Sequence, residues 1–218
     1  MTGDLPTRVE VCTADFSFVI AVCTAQAPIS GAYFLEDVDA GRLNGTSIFR
    51  IVNLHNQPAD HPAKIEVIQM GWRETNPGIP PSLRHETTAM TGLRHRKGTV
   101  SLARFAPGAV YHSWFVCMRD EPGLDAGGLR HPDGQGFAAF GFIAEGLEHL
   151  ARFFNDNAAT PEYPAQPVLL SSGCGVYDAE SGGAGHAQWL EQGLGRIGRR
   201  QRACGIRLLD AGRGSARR

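Results

Sequence analysis

Chemistry that breaks bonds in water usually leaves a spacing signature, and the reactive residues of this chain do not form one. Serine, histidine and aspartate are all present, but there is no Gly-x-Ser-x-Gly turn, and nothing in the pattern sets His112 beside a nucleophile. The eight histidines are scattered, and no His-Glu-x-x-His occurs, so a metal hydrolase is not expected. Five cysteines, Cys12, Cys23, Cys117, Cys174 and Cys204, are odd in number and form neither a Cys-x-x-Cys pair nor a ligand-spaced cluster. They read as small apolar residues rather than as a zinc site or a disulfide framework. Arginine is dense at the end, where Arg196, Arg199, Arg200, Arg202, Arg207, Arg213, Arg217 and Arg218 follow the run Ser-Gly-Gly-Ala-Gly at 181–185. Glycine at that density opposes a stable helix, and Trp189, Leu190, Leu194 and Ile197 make only a weak stripe, so this segment reads as a loosely ordered tail. The other reading of it is a basic arm for nucleic acid or an acidic partner.

The bulk properties narrow the setting. A chain of 218 residues, 42% hydrophobic and 20% charged, can form one sizeable core with extensions. Its formal net charge of −1 gives the whole molecule no strong pull toward nucleic acid or an anionic membrane. The longest apolar stretches, such as Phe16 to Cys23, fall far short of the roughly 20 residues that cross a bilayer. Met-Thr-Gly-Asp-Leu-Pro-Thr-Arg is not a basic start followed by an apolar run, so a cytoplasmic location is expected.

Something must nonetheless position side chains, and the punctuation says what. Short runs rich in Val, Ile and Phe recur at Arg8 to Cys12, Ser17 to Cys23, Ser47 to Val52, Lys64 to Met70, Thr99 to Phe105, Trp114 to Met118, Phe137 to Phe142 and Pro167 to Ser172. Eight short strands separated by turns point to a barrel or a sandwich. Between Pro28 and Ala40, Phe34, Leu35 and Val38 share a helical face, with Pro28 suited to the start and Gly41 to the stop. Leu147, Leu150, Ala151 and Phe154 follow i, i+3, i+4, i+7 spacing and predict a second helix. Gly71 to Lys97 and Asp120 to Gly136 read as long loops, a place where function often resides.

Three stretches, in order, carry a family likeness. They are Asn44-Gly-Thr-Ser-Ile-Phe-Arg-Ile-Val52; Gly98-Thr-Val-Ser-Leu-Ala-Arg-Phe-Ala-Pro-Gly108 followed by Ser113-Trp-Phe-Val-Cys117; and Gly134-Gln-Gly-Phe-Ala-Ala-Phe-Gly141 followed by a helix beginning near Ala144. Together they resemble the cyclophilin-type peptidyl-prolyl cis-trans isomerases. The likeness is to bacterial members with an insertion after the arginine strand, here about Asn53 to Ala63. The resemblance implies a mainly β fold, an eight-stranded antiparallel closed barrel capped by two α-helices, over residues 7–172, with residues 173–218 as an extension. It implies a peptide groove on the barrel's outside, with Arg50 as the catalytic arginine, Gln69 as the groove glutamine and Phe115 as the floor of a proline pocket. Val67, Leu124 and Phe137 would wall that pocket, and Ala103 and Arg104 would lie where the peptide backbone is held. Proline-containing peptides and unfolded or partly folded proteins would be the partners of a monomer needing no cofactor and no metal.

Such chemistry needs no nucleophile. Resonance sets a barrier of about 18–20 kcal/mol to peptide-bond rotation, and a fixed cation that donates to the imide nitrogen touches it only in the twisted state. An apolar pocket would anchor the ring while the preceding carbonyl turns. Departures from the family pattern fall close by: Glu66 stands at a position usually aromatic, Met70 replaces a glycine, Ser113 and Trp114 precede Phe115 in place of the usual pair, and the tryptophan of many eukaryotic members falls near Gly123. Crowding by Met70 and Trp114 would favour the alternative, a peptide-binding or chaperone-like module without catalysis.

Overall fold

The computed structural model describes residues 5–73 and 83–170 and the backbone of 207–209. The tail reading therefore lies outside the described residues, apart from those last three. The elements run β1 (Thr7–Cys12), β2 (Ser17–Val22), α1 (Pro28–Asp39), β3 (Ser47–Val52), β4 (Val67–Gly71), α2 (Thr88–Thr91), β5 (Thr99–Arg104), β6 (Val110–Cys117), β7 (Ala138–Glu145), α3 (Leu147–Asp156), β8 (Val168–Leu169) and β9 (Arg207–Leu209). All strand pairs are antiparallel, in the order β8-β3-β4-β6-β5-β7-β2-β1-β9. The eight expected strands thus form a curled half-barrel. Among the described residues no ladder joins β1 to β8, because the outer edge of β1 is taken by β9.

Alternation along the strands divides the apolar residues between two sides of this wall. Ile20, Ile48, Ile68, Trp114, Val116 and Phe140 point inward, where Phe34 of α1 and Leu150 and Phe154 of α3 join them in one buried core. Phe34 sits 4.8 Å from the ring of Phe140 and 5.6 Å from that of Trp114, so α1 is fixed by aromatic contact as well as by area. A second, smaller apolar cluster lies on the outer side of β3, β4, β5 and β6.

Several boundaries differ from those the sequence predicts, each for a local reason. β7 runs to Glu145 rather than Phe142, and α3 starts at Leu147 rather than near Ala144. Gly146 makes the join at φ 79°, packed so closely that a Cβ there would come within 2.7 Å of Ser17 O. β6 begins at Val110, earlier than Trp114, and is partly polar at Tyr111, His112 and Ser113. The four-residue α2 interrupts what reads as loop, and a 3-10 turn at Pro122–Leu124 interrupts the other.

α1 has Pro28 in its first turn and no side-chain cap from its own N-cap, Ala27. Its free amides are met from far along the chain: the Glu86 carboxylate accepts from Ile29 N at 3.1 Å and Ser30 N at 2.7 Å, and Glu86 is only 3% exposed. A charged acceptor at a helix N-terminus satisfies two orphan donors and favours the helix dipole. Replacing Glu86 by alanine strands both amides in a dry site, so it should cost about 2 kcal/mol of stability. Equilibrium urea unfolding of Glu86→Ala against the parent checks this, with Glu86→Gln losing less.

Candidate active site

The outer face of β3 and β4 carries a guanidinium that a plain ladder would not put there. Ile48 pairs with Met70, and both point inward, so strict alternation would send Arg50 inward two residues on. A register shift between Ile48 and Arg50 adds one residue, Phe49, to β3 and sets Arg50 opposite Gln69. Arg50 Nη1 donates to Gln69 Oε1 at 3.0 Å. The amide of Gln69 is held that way round because its Nε2 donates to Tyr111 Oη at 2.9 Å and to Ser113 Oγ at 3.0 Å.

The other side of the guanidinium meets Glu162. Arg50 Nε donates to Glu162 Oε1 at 2.6 Å, and Nη2 donates to the same oxygen. The segment that brings Glu162 is tied to the β3 strand and its end: Glu162 O accepts from Ile51 N at 2.9 Å, and Ala158 O accepts from Asn53 Nδ2 at 3.0 Å. The ring of Tyr163 lies 5.6 Å from the Arg50 guanidinium carbon and 4.9 Å from that of Arg73. Of the five N–H groups that an arginine fork presents, three are engaged, which leaves one on each terminal nitrogen. The side chain keeps 26% exposure, so those two can be reached.

Beside this fork is the outer apolar cluster: Val52, Ile65, Val67, Ala103, Phe115, Cys117 and Leu124, with Tyr111 and Phe137 against it. Phe115 and Phe137 meet edge to face at 5.6 Å. Beneath Phe115 lies His95, stacked at 6.1 Å, its side chain fully buried. His95 Nδ1 lies 2.9 Å from Asp125 Oδ1 and Nε2 lies 3.1 Å from Ser101 Oγ. A carboxylate only accepts, so the neutral ring carries its proton on Nδ1, donates it to Asp125 in a hydrogen bond, and accepts a hydrogen bond at Nε2 from the Ser101 hydroxyl. Burial pushes the His95 pKa down, against the pull of Asp125.

The structure brings together Arg50, Gln69, Phe115, Val67, Ala103, Leu124 and Phe137, but gives the Arg104 side chain another task. It is almost wholly buried, donates through Nε to Gly136 O at 2.7 Å and through both terminal nitrogens to Asp133 at 2.9 Å, and lies 4.9 Å over the ring of Phe137. It backs the pocket wall. Its fork holds the Asp133 carboxyl well below the usual range. Met70 and Trp114 do not crowd the groove: both are buried in the inner core, facing away from Gln69 and Phe115. Ser113 serves Gln69. Glu162, Tyr163, Tyr111 and His95 are missed by sequence reasoning; only His95 carried a visible signal, as one of the scattered histidines.

The rim is shaped by two loops. Gln57 is buried and ties the first together, donating to Asn53 O at 2.6 Å and Ile65 O at 2.8 Å. The loop meets Gly123, where a Cβ would stand 2.8 Å from that of Ala63. Thus a side chain at Gly123 would press on Ala63, and one of the two loops would have to shift to admit it.

Comparisons with known proteins agree on one family. The family described as cyclophilin type peptidyl-prolyl cis-trans isomerase/CLD matches residues 8–173. Peptidyl-prolyl cis-trans isomerase A of Dickeya dadantii is 25% identical over 172 residues, covering 76% of this chain and 83% of that one. Peptidyl-prolyl cis-trans isomerase cyp18 of Streptomyces antibioticus is 26% identical over 176 residues, covering 75% and 95%. Among solved structures, a cyclophilin type peptidyl-prolyl cis-trans isomerase of Cryptosporidium parvum, crystallised in the presence of the dipeptide Ala-Pro, superposes with a TM-score of 0.57 at 18% identity, covering 75% of this chain and 95% of that chain. At that identity the likeness speaks for the fold.

Two outcomes follow from the buried parts of the site. A histidine kept neutral by burial refuses a proton that the unfolded chain accepts below about pH 6.5. Stability should therefore fall as pH drops from there toward the depressed value, and His95→Gln should show a shallower slope between pH 6.5 and 5 in urea titrations. His61 and His85, whose pKa values burial also lowers, keep the slope from vanishing. Gly123→Ala should lower the unfolding midpoint, because Ala63 must shift to admit it; an unchanged midpoint would show that the loops yield freely.

Proposed function

The chain belongs to the cyclophilin-type peptidyl-prolyl cis-trans isomerase family, and we propose that it accelerates rotation about X-Pro peptide bonds at the hollow beside Arg50. The observation that carries this reading is the juxtaposition of a held guanidinium, with two donors to spare, and an apolar pocket floored by Phe115. A pyrrolidine ring lodged against Phe115, Val67, Leu124 and Phe137 is anchored while the preceding carbonyl rotates. The planar imide nitrogen is a poor acceptor because its lone pair is delocalised. As the bond twists, that pair localises and can accept from Arg50, a contact absent from the ground state. Gln69 and Glu162 hold the fork so that little order has to be imposed during the reaction. No electron or group is transferred, so no cofactor enters the step. Proline-containing peptides and unfolded or partly folded chains are the substrates this site fits, as the Ala-Pro dipeptide with the Cryptosporidium protein suggests. The non-catalytic alternative leaned on Met70 and Trp114, whose side chains lie on the far side of the wall.

A charge-assisted hydrogen bond contributes about 1.5–3 kcal/mol net, or roughly ten- to a hundredfold in rate. Arg50→Ala should lower kcat/KM by about that factor, measured by exchange NMR or stopped-flow isomerisation of a proline peptide. Arg50→Lys should rescue little, since a point charge cannot hold Gln69 and Glu162 and still face the substrate. Equal, near-background rates for parent and Arg50→Ala would overturn the enzyme. Glu162→Ala should give a smaller loss, mostly in kcat, with Glu162→Gln partly restoring the rate because it keeps an acceptor.

A further inference from the structure

Arg130 differs from the other arginines that hold down this fold. Arg42, Arg50, Arg104 and Arg119 each donate to a carboxylate. Arg130 is about half buried, yet among the described residues it meets none. Its Nη1 donates to Gln57 Oε1 at 2.6 Å and to Ala63 O at 3.1 Å, leaving Nε and Nη2 without a bond there. The two carboxylates whose charge reaches it are already in use: Glu162 on Arg50, and Glu121 on Arg119 and the amide of Glu66. Burial, and then the like charge of Arg50, lowers its pKa, so this cation is held against both desolvation and repulsion. Glu162 and Glu121 offset this only from a distance, and a partly dried cation without a carboxylate in direct contact lowers its free energy when an anion arrives.

Its place indicates where that anion would come from. Arg130 N donates to Gly123 O at 3.0 Å, next to Leu124 of the apolar hollow, and its partner Gln57 is bonded to Ile65 of the same hollow. The cation thus stands at the rim, on the loop-built wall and within electrostatic reach of Arg50. Two anchors through Nη1 fix one end of the fork and leave the other for a carboxylate.

We propose that Arg130 is a specificity residue that recognises an acidic side chain flanking the substrate's proline. This rests on the isomerase reading above. Capped peptides that differ only in Glu, Gln or Lys beside the proline, placed before it in one set and after it in the other, test it. Exchange NMR gives kcat/KM for each, and chemical-shift titration gives affinity independently of turnover. In one set the glutamate peptide should exceed the lysine peptide by about fivefold, the scale of a single partly screened ion pair, and the gap should shrink in 0.5 M salt, the added concentration that screens such a pair. Arg130→Gln should bring that ratio near one, while Arg130→Lys, which keeps the charge and one anchor, should retain most of it. A ratio near one in the parent for both sets, or the same ratio in Arg130→Gln, overturns the proposal. If all peptides turn over at background rates the isomerase reading fails, and the titration ratio still decides whether the charge is read.

Discussion

A strand offers its residues alternately to two sides, and this molecule has uses for both. The site depends on a break in that alternation within β3, at Phe49. Before the break Ile48 faces Met70 inside; after it Ile51 faces Ile68 inside, and Arg50 has been carried outward to Gln69. Without the extra residue the guanidinium would lie in an apolar interior beside Ile68, where an unpaired charge costs several kcal/mol. One inserted residue therefore satisfies the core and creates the groove.

Around the fork, polar groups are arranged to hold things still. Glu162 and Gln69 grip Arg50, Tyr111 and Ser113 grip Gln69, and Arg104 with Asp133 backs Phe137. His95, closed between Asp125 and Ser101, lies under Phe115 and keeps the pocket floor from tilting. A second histidine does similar work at the far end of β6, where His112 bonds Asp37 at 2.8 Å and Tyr33 at 3.0 Å, locking α1 to the sheet. Asp37, Arg104 and Glu121 are buried, and each is ion-paired and hydrogen-bonded, the condition under which buried charges favour one conformation rather than many.

Much of this was legible in the sequence, and the losses have physical reasons. Apolar runs of Val, Ile and Phe announced eight strands because burial on the inner face demands them, and Leu150 with Phe154 announced α3 for the same reason. Family likeness, not periodicity, pointed to Arg50, Gln69 and Phe115. Residues 110–113 escaped because that part of β6 carries polar groups on its outer face for Gln69. Met70 and Trp114 looked obstructive because a string of letters does not state which side of a strand faces inward until its register is known. Glu162 left no trace at all: it lies 112 residues from Arg50, and a lone acid in a loop looks like any solvated one.

The seam between the two rim loops has an evolutionary corollary. Ala63 and Gly123 touch, and Arg130 crosses to Gln57, so segments distant in the chain share one joint. A longer first loop has nowhere to rest unless the second recedes, and a bulkier second loop displaces the first. The pair should be inherited, lost or transplanted as a unit, and a chimera that exchanges only one of them inherits a mismatched joint beside an otherwise intact groove.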